Sequence, residues 1–224
     1  MTEKYACTAE RFAEDTKGHV LTVERDEGLQ RHLQFKRPGD RAYWFDIVTW
    51  PGVLVLHGDM GTYVFSRIAD MFDFFRRDGD GRINPSYWAE KLQGQFRTKA
   101  DRGMEFSQEL FRQAVKTDFR QRWRGRCNTA DDFEQRRECW ESVQNEVLGA
   151  ACDGEDAAIR AAIAFTFPLP RNSALFSGDK FEFVDFYEHN FYEYRFDFIW
   201  CLRAIVWGIE QYDVSKAAKE LAHA

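Results

Sequence analysis

Residues Tyr43–Arg67 read YWFDIVTWPGVLVLHGDMGTYVFSR. Three apolar runs rich in β-branched and aromatic residues are separated by Trp50-Pro51-Gly52 and by His57-Gly58-Asp59-Met60-Gly61. Pro and Gly set backbone angles that turns need, and the runs between them suit a pleated, half-buried surface. The stretch therefore predicts adjacent strands over Tyr43–Trp50, Val53–Leu56 and Thr62–Ser66.

Two more strands lie upstream. Val20–Arg25 alternates Val20, Thr22, Glu24 against Leu21, Val23, Arg25, and Leu29–Lys36 alternates through Leu29, Arg31, Leu33 and Phe35. Asp26-Glu27-Gly28 joins them and Arg37-Pro38-Gly39-Asp40 leads on to the third strand, so residues 20–66 predict a five-stranded antiparallel meander. A short helix with Thr8 as its cap precedes it, over Thr8–Thr16.

Beyond Arg67 the period changes to three and four. Ile68, Met71, Phe72 and Phe75 mark one helix, and Asn84 with Pro85 opens another through Leu92. Ser107 starts a helix toward Trp123 with Leu110, Phe111, Ala114, Val115 and Phe119 as its stripe. Asp131–Gly149 follows with Phe133, Trp140, Val143 and Val147 inward, then the Ala-rich Glu155–Phe165. Phe167–Asn172 reads as a linker-like break, Lys180–Tyr212 as aromatic-dense and mainly helical, and the tail from Ser215 as a frayed helix. Strands followed by helices give an α+β fold, an N-terminal antiparallel meander and then a mainly helical C-terminal part, within a single domain over 1–224. A subdivision into a sheet part, 1–67, and a helical part, 68–224, is the alternative.

The 224 residues suffice to bury a core, and 44% hydrophobic with 30% charged residues describes a globular chain. A formal charge of −6, from 31 basic and 37 acidic residues, argues against a broad nucleic-acid footprint. Five cysteines without CxxC spacing predict neither a zinc site nor a disulfide framework, and reduced thiols fit a cytoplasmic setting. The polar residues Thr2–Tyr5 show no signal peptide, and Phe196–Ile209 is too short and too charged for a membrane span.

Several motifs fail on their chemistry. Arg76–Ile83 resembles the middle of a calcium loop, but with Gly81 at position six the first and twelfth positions are Arg76 and Tyr87, where acids are needed. His57 and Asp59 invite a metal or hydrolytic reading, yet no HxH or HxxxH pair accompanies them and the glycines suit a hairpin turn. There is no P-loop, GxGxxG, GxSxG or kinase signature. Cys139 and Cys201 fall in apolar helical stripes, as inert thiols do. No catalytic residue, metal ligand or cofactor is assigned.

Two surfaces stand out. Arg112, Lys116 and Arg120 step by four along one helix face, with Trp123 and Arg124 close by, which suits an anion, a phosphate or an acidic protein surface. The competing reading is a solvated helix face with acidic neighbours. Phe181–Tyr194 interleaves aromatics with Glu182, Asp185, Glu188 and Glu193, as a core or as a partner or homodimer surface.

The strings TWPG, GDMGTYVFSR, MFDFFR and INPSYWAEKL resemble a family of uncharacterised proteins of tailed bacteriophages and prophages, over roughly residues 5–125. The resemblance implies a phage accessory protein acting on its host and carries no catalytic residue with it. The leading expectation is a non-enzymatic protein in the host cytoplasm that binds and inhibits a host anti-phage defence protein. The alternative is a binder of a nucleotide-like defence signal, with Arg31, His32, Trp44 and the Arg-rich helix as a basic, aromatic pocket; His57 and Asp59 are further candidate ligand- or partner-binding residues. An enzyme with an unfamiliar site is a third reading and a nucleic-acid binder a fourth.

Overall fold

The computed structural model describes residues 6–76, 82–94, 100–170, 175–176 and 179–223. A five-stranded antiparallel sheet at the N-terminus precedes a mainly helical C-terminal part, as the sequence predicts. Residues 77–81 of the calcium-loop-like stretch and 171–172 of the linker-like stretch lie outside the described residues. Contacts divide the chain into two compact units, residues 1–105 with 194–224, and residues 106–193. The sheet and the last helix thus share a unit although they come from opposite ends of the chain.

In the first unit, α1 (Ala9–Asp15) begins where the Thr8 hydroxyl accepts the Arg11 N–H. Strands β1 (Val20–Glu27), β2 (Gln30–Lys36), β3 (Phe45–Trp50), β4 (Val53–Gly58) and β5 (Gly61–Ser66) pair in sequence order. The period of two sends Leu33, Phe35, Phe45, Ile47, Leu54, Leu56 and Phe65 to one face, where none is exposed to solvent. His32, Gln34, Asp46, Val48, Val55 and His57 take the other face.

The buried face is covered by α7 (Phe196–His223), which touches β1, β2, β3 and β5. Phe35 and Phe45 stack at 4.7 Å, and Trp200 and Trp207 lie 5.7 Å and 6.2 Å from Phe45. Gly208 lets the helix come this close, because a Cβ there would stand 2.7 Å from Ile47 Cδ1 and 3.2 Å from the Phe35 ring. The α7 helix starts at Phe196 and runs through the tail beyond Ser215. Helices α2 (Met71–Arg76) and α3 (Pro85–Ala89) close the same core with Phe72, Phe75 and Trp88.

The second unit packs α4 (Gln108–Trp123), α5 (Ala130–Ser142, prolonged by a π turn over Val143–Leu148) and α6 (Glu155–Ala164) around an aromatic core. The expectation that Lys180–Tyr212 is mainly helical holds from Phe196 onward and is corrected over residues 180–195. Lys180–Glu182 is a strand paired with Thr166–Pro168, and Phe186–Glu188 is a single 3₁₀ turn. Phe181 and Phe183 alternate with Glu182, a period of two, and Asp179 and Asp185 take left-handed φ values of 51° and 54° that interrupt a helix. Phe181, Phe183, Phe186 and Phe191 are all buried in this core.

Replacing Gly208 with Val places three extra carbons against Ile47 and Phe35, and overpacking of this kind costs about 1–3 kcal/mol. Denaturant unfolding of Gly208→Val is expected to show that loss. Unchanged stability would contradict the close approach of α7 to the sheet.

Candidate functional site

Four cationic side chains, Lys116, Arg120, Arg136 and Arg137, gather between α4 and α5. Ser107 caps α4 by accepting the Leu110 N–H, and Phe111, Val115, Phe119 and Trp123 form its buried stripe. With that stripe inward, Lys116 and Arg120 stay exposed. Thr129 and Asp132 form a reciprocal capping box that starts α5. From there Phe133, Arg136, Arg137 and Trp140 recur at spacings of three and four, so they share one face.

These two faces line a cavity of about 330 Å³ bounded by Lys116, Phe119, Arg120, Phe133, Arg136, Arg137 and Trp140. Its floor is aromatic, with Phe119 4.9 Å from Trp140. Its lip is Phe133, 56% exposed, an apolar ring held in water rather than turned inward as the helix period suggests. Arg137 is bonded to Glu134 and lies 3.9 Å from Glu141. Lys116, Arg120 and Arg136 form no ion pair with a described residue. Lys116 and Arg120, with Arg136, which also bonds the Cys127 thiol, border the exposed Phe133 ring and can take an anionic group together with a flat or apolar one.

The remaining members of the predicted basic surface behave differently. Trp123 is 1% exposed and packs 5.0 Å from Phe176 and 5.9 Å from Phe119, so it belongs to the core and not to a binding surface. Its position continues the four-residue apolar stripe, which outweighs its charged neighbours. The Arg112 guanidinium turns toward the Cys152 thiol at 4.0 Å. Arg124 is exposed at the end of α4. Arg122 is paired with Asp118, and Arg126 lies 4.5 Å over the Phe176 ring and donates to the Leu175 carbonyl.

Arg31, His32, Trp44, His57 and Asp59 belong to the other compact unit, where Trp44, His57 and Asp59 lie together and Arg31 lies on the opposite face of the sheet. Arg31 points into the covered face, making two 2.9 Å hydrogen bonds to the Asp70 carboxylate while its guanidinium lies 4.5 Å over the Phe72 ring. It is a structural clamp that joins β2 to the start of α2, and it is corrected here from the proposed ligand pocket. His32 is on the opposite face, 3.1 Å from Asp46. His57 meets the Thr62 hydroxyl at 2.7 Å and the edge of Trp44. Asp59 sits in the two-residue turn between β4 and β5 and accepts the Tyr43 N–H.

Among the described residues no group of three or more His, Cys, Asp or Glu side chains is gathered to hold a metal ion, and no helix is long and apolar enough to cross a membrane. Burial pushes the Cys139 thiol up to about 12 and raises Cys201 well above its ordinary value, so neither is a ready nucleophile. No family model, no curated protein and no solved structure matches the chain. The sequence reading missed Phe133, Arg136, Arg137 and Trp140 as a group, although their helical spacing carried the signal.

Burial would raise the Asp70 carboxyl, but two Arg31 hydrogen bonds and the Phe72 N–H hold it below the usual carboxylate range. The pair therefore stabilises the fold above the unfolded carboxyl value of about 3.9, and that contribution is lost as pH falls through the depressed folded value. Asp70→Asn leaves Arg31 buried without its counter-charge and is expected to lose about 3 kcal/mol at neutral pH. Unfolding curves of the variant should also fall less steeply than wild type below pH about 4; equal acid sensitivity would assign the acid response elsewhere.

Proposed function

We propose that this chain is a binding protein and not an enzyme, and that its working surface is the basic, aromatic groove between α4 and α5. One observation carries this reading: Lys116, Arg120 and Arg136 surround the exposed Phe133 ring without acidic partners among the described residues. Arginine and aromatic anchors with a charged rim are what protein interfaces concentrate their energy in. The partner is an acidic surface with an apolar or aromatic knob, which enters over Phe133 while its carboxylates meet the cations. With the phage-family resemblance of residues 5–125, the partner is assigned to a host anti-phage defence protein, bound and inhibited in the host cytoplasm.

A second reading is favoured by the size of the cavity. About 330 Å³ is within the range of small-ligand pockets, and a ring between Phe133 and Trp140 with phosphates on Lys116, Arg120 and Arg136 would hold a nucleotide-like signal. The groove would then sequester the signal and leave the defence protein itself untouched.

Lys116→Glu/Arg120→Glu changes two exposed groups and is expected to leave the melting temperature unchanged. In bacteria carrying a panel of defence systems, the wild-type chain should restore phage plating against at least one, and the double variant should not. Equal rescue by both proteins would remove the groove from the mechanism, and no rescue by either would remove the defence assignment. A nucleotide panel in thermal melts separates the two readings, because a ligand at 100 times its Kd stabilises the native state by about 2.7 kcal/mol. A groove-dependent rise for one nucleotide selects the second reading, and a flat panel the first.

A further inference from the structure

The corner at residues 43–45 is held in a conformation that most side chains avoid. Tyr43 has a left-handed φ of 59°. Its N–H donates to the Asp59 carboxylate at 2.9 Å, and the Asp59 N–H donates to the Trp44 carbonyl at 3.0 Å. Its own carbonyl meets His19 Nε2 at 3.0 Å, and its ring stacks on Trp200 at 5.8 Å. Gly58 completes the clasp, since a Cβ there would stand 2.2 Å from the Trp44 carbonyl oxygen. Strain kept in place by this many contacts marks a position where a side chain is being aimed.

The side chain aimed is Trp44. Phe45 enters the core, and Trp44 takes the opposite face, where its only ring partner among the described residues is the edge of His57 at 5.4 Å. Extending the Phe35–Phe45 register by one residue puts Lys36 beside it. The indole lines a cavity of about 510 Å³ together with Gln34, Lys36, Arg37, Gly39, Asp40 and Arg41.

Two of those charges are already committed. Arg37 bonds Asp40 at 3.0 Å and the backbone carbonyls of Lys17 and Asp15, and the other Asp40 oxygen accepts the Ala42 N–H. Lys36 and Arg41 are exposed and pair with no described acid, and the Gln34 amide has no described hydrogen-bond partner. The cavity therefore offers one indole, one amide and two available cations.

We propose that this cavity is a second binding site, separate from the α4–α5 groove, for a small planar anion: an aromatic ring carrying a phosphate or a carboxylate. The ring lies against Trp44, the anionic group is held by Lys36 and Arg41, and Gln34 orients a polar edge. It does not depend on the function of the groove, which belongs to the other compact unit.

The test is titration of the full-length chain with phenyl phosphate, benzoate and inorganic phosphate, followed by calorimetry and ligand-observed NMR. Phenyl phosphate should bind saturably and about tenfold tighter than inorganic phosphate, a difference set by ring stacking. Arg41→Glu, an exposed turn residue that does not threaten folding, should weaken phenyl phosphate about tenfold or more, as should Trp44→Leu. Lys116→Glu/Arg120→Glu should bind like wild type. No saturable binding of phenyl phosphate or benzoate overturns the proposal. So does equal affinity for phosphate with and without the ring, an Arg41→Glu protein that binds like wild type, or loss of binding in the groove variant.

Discussion

At Gly208 the backbone of α7 approaches Ile47 and Phe35 so closely that a single methyl group has no room. The meander needs this contact. Its strands pair only with sequence neighbours, and one whole face is Leu, Ile and Phe. A sheet of that kind left open would expose an apolar surface far larger than a soluble chain tolerates. The cover comes from the far end of the chain, so residues 106–193 must be accommodated as a unit with its own core. The candidate cavities lie on the outer face of the sheet in the first unit and between α4 and α5 in the second.

Arginine does two different jobs in this protein, and telling them apart identifies the candidate sites. Arg31 on Asp70, Arg37 on Asp40, Arg76 on Asp213 and Arg195 on Asp197 are ion pairs internal to the first unit. Arg126 is spent on the Leu175 carbonyl and the Phe176 ring in the second. These forks match carboxylates or carbonyls inside the fold and are structural. Lys116, Arg120 and Arg136 are different, because they border a concave aromatic surface and find no counter-charge among the described residues. Charge without an acidic partner beside an exposed ring costs little in water and becomes valuable only when a partner brings the opposite sign.

The sheet was legible because alternation and Gly/Pro turns are local signals, and each strand boundary fell within a few residues of its turn. Thr8, Asn84 and Ser107 were likewise readable as caps, since a cap acts on the next three residues. The grouping of α7 with the sheet was not, because it depends on contacts between residues more than a hundred positions apart. The Phe residues of Phe181–Tyr194 are buried, as the core reading has it, but the helical shape expected there was wrong. The alternation of the stretch and the left-handed Asp179 and Asp185 decide its shape. Phe133 was placed inward by helical period, whereas Trp140 and Phe119 fill the space below it and leave it 56% exposed. Lys116 and Arg120 were found from one helix alone, but the facing residues of α5 became visible only when the two helices packed.

The central claim is that the groove between α4 and α5 holds an anionic partner. Native mass spectrometry of the chain purified gently from bacterial cells, wild type beside Lys116→Glu/Arg120→Glu, tests it most directly. The wild-type protein is expected to carry an additional mass, protein-sized or of a few hundred daltons, that the double variant has lost while remaining folded. Identical spectra for the two proteins, whether both carry the same species or both are bare, would contradict the account.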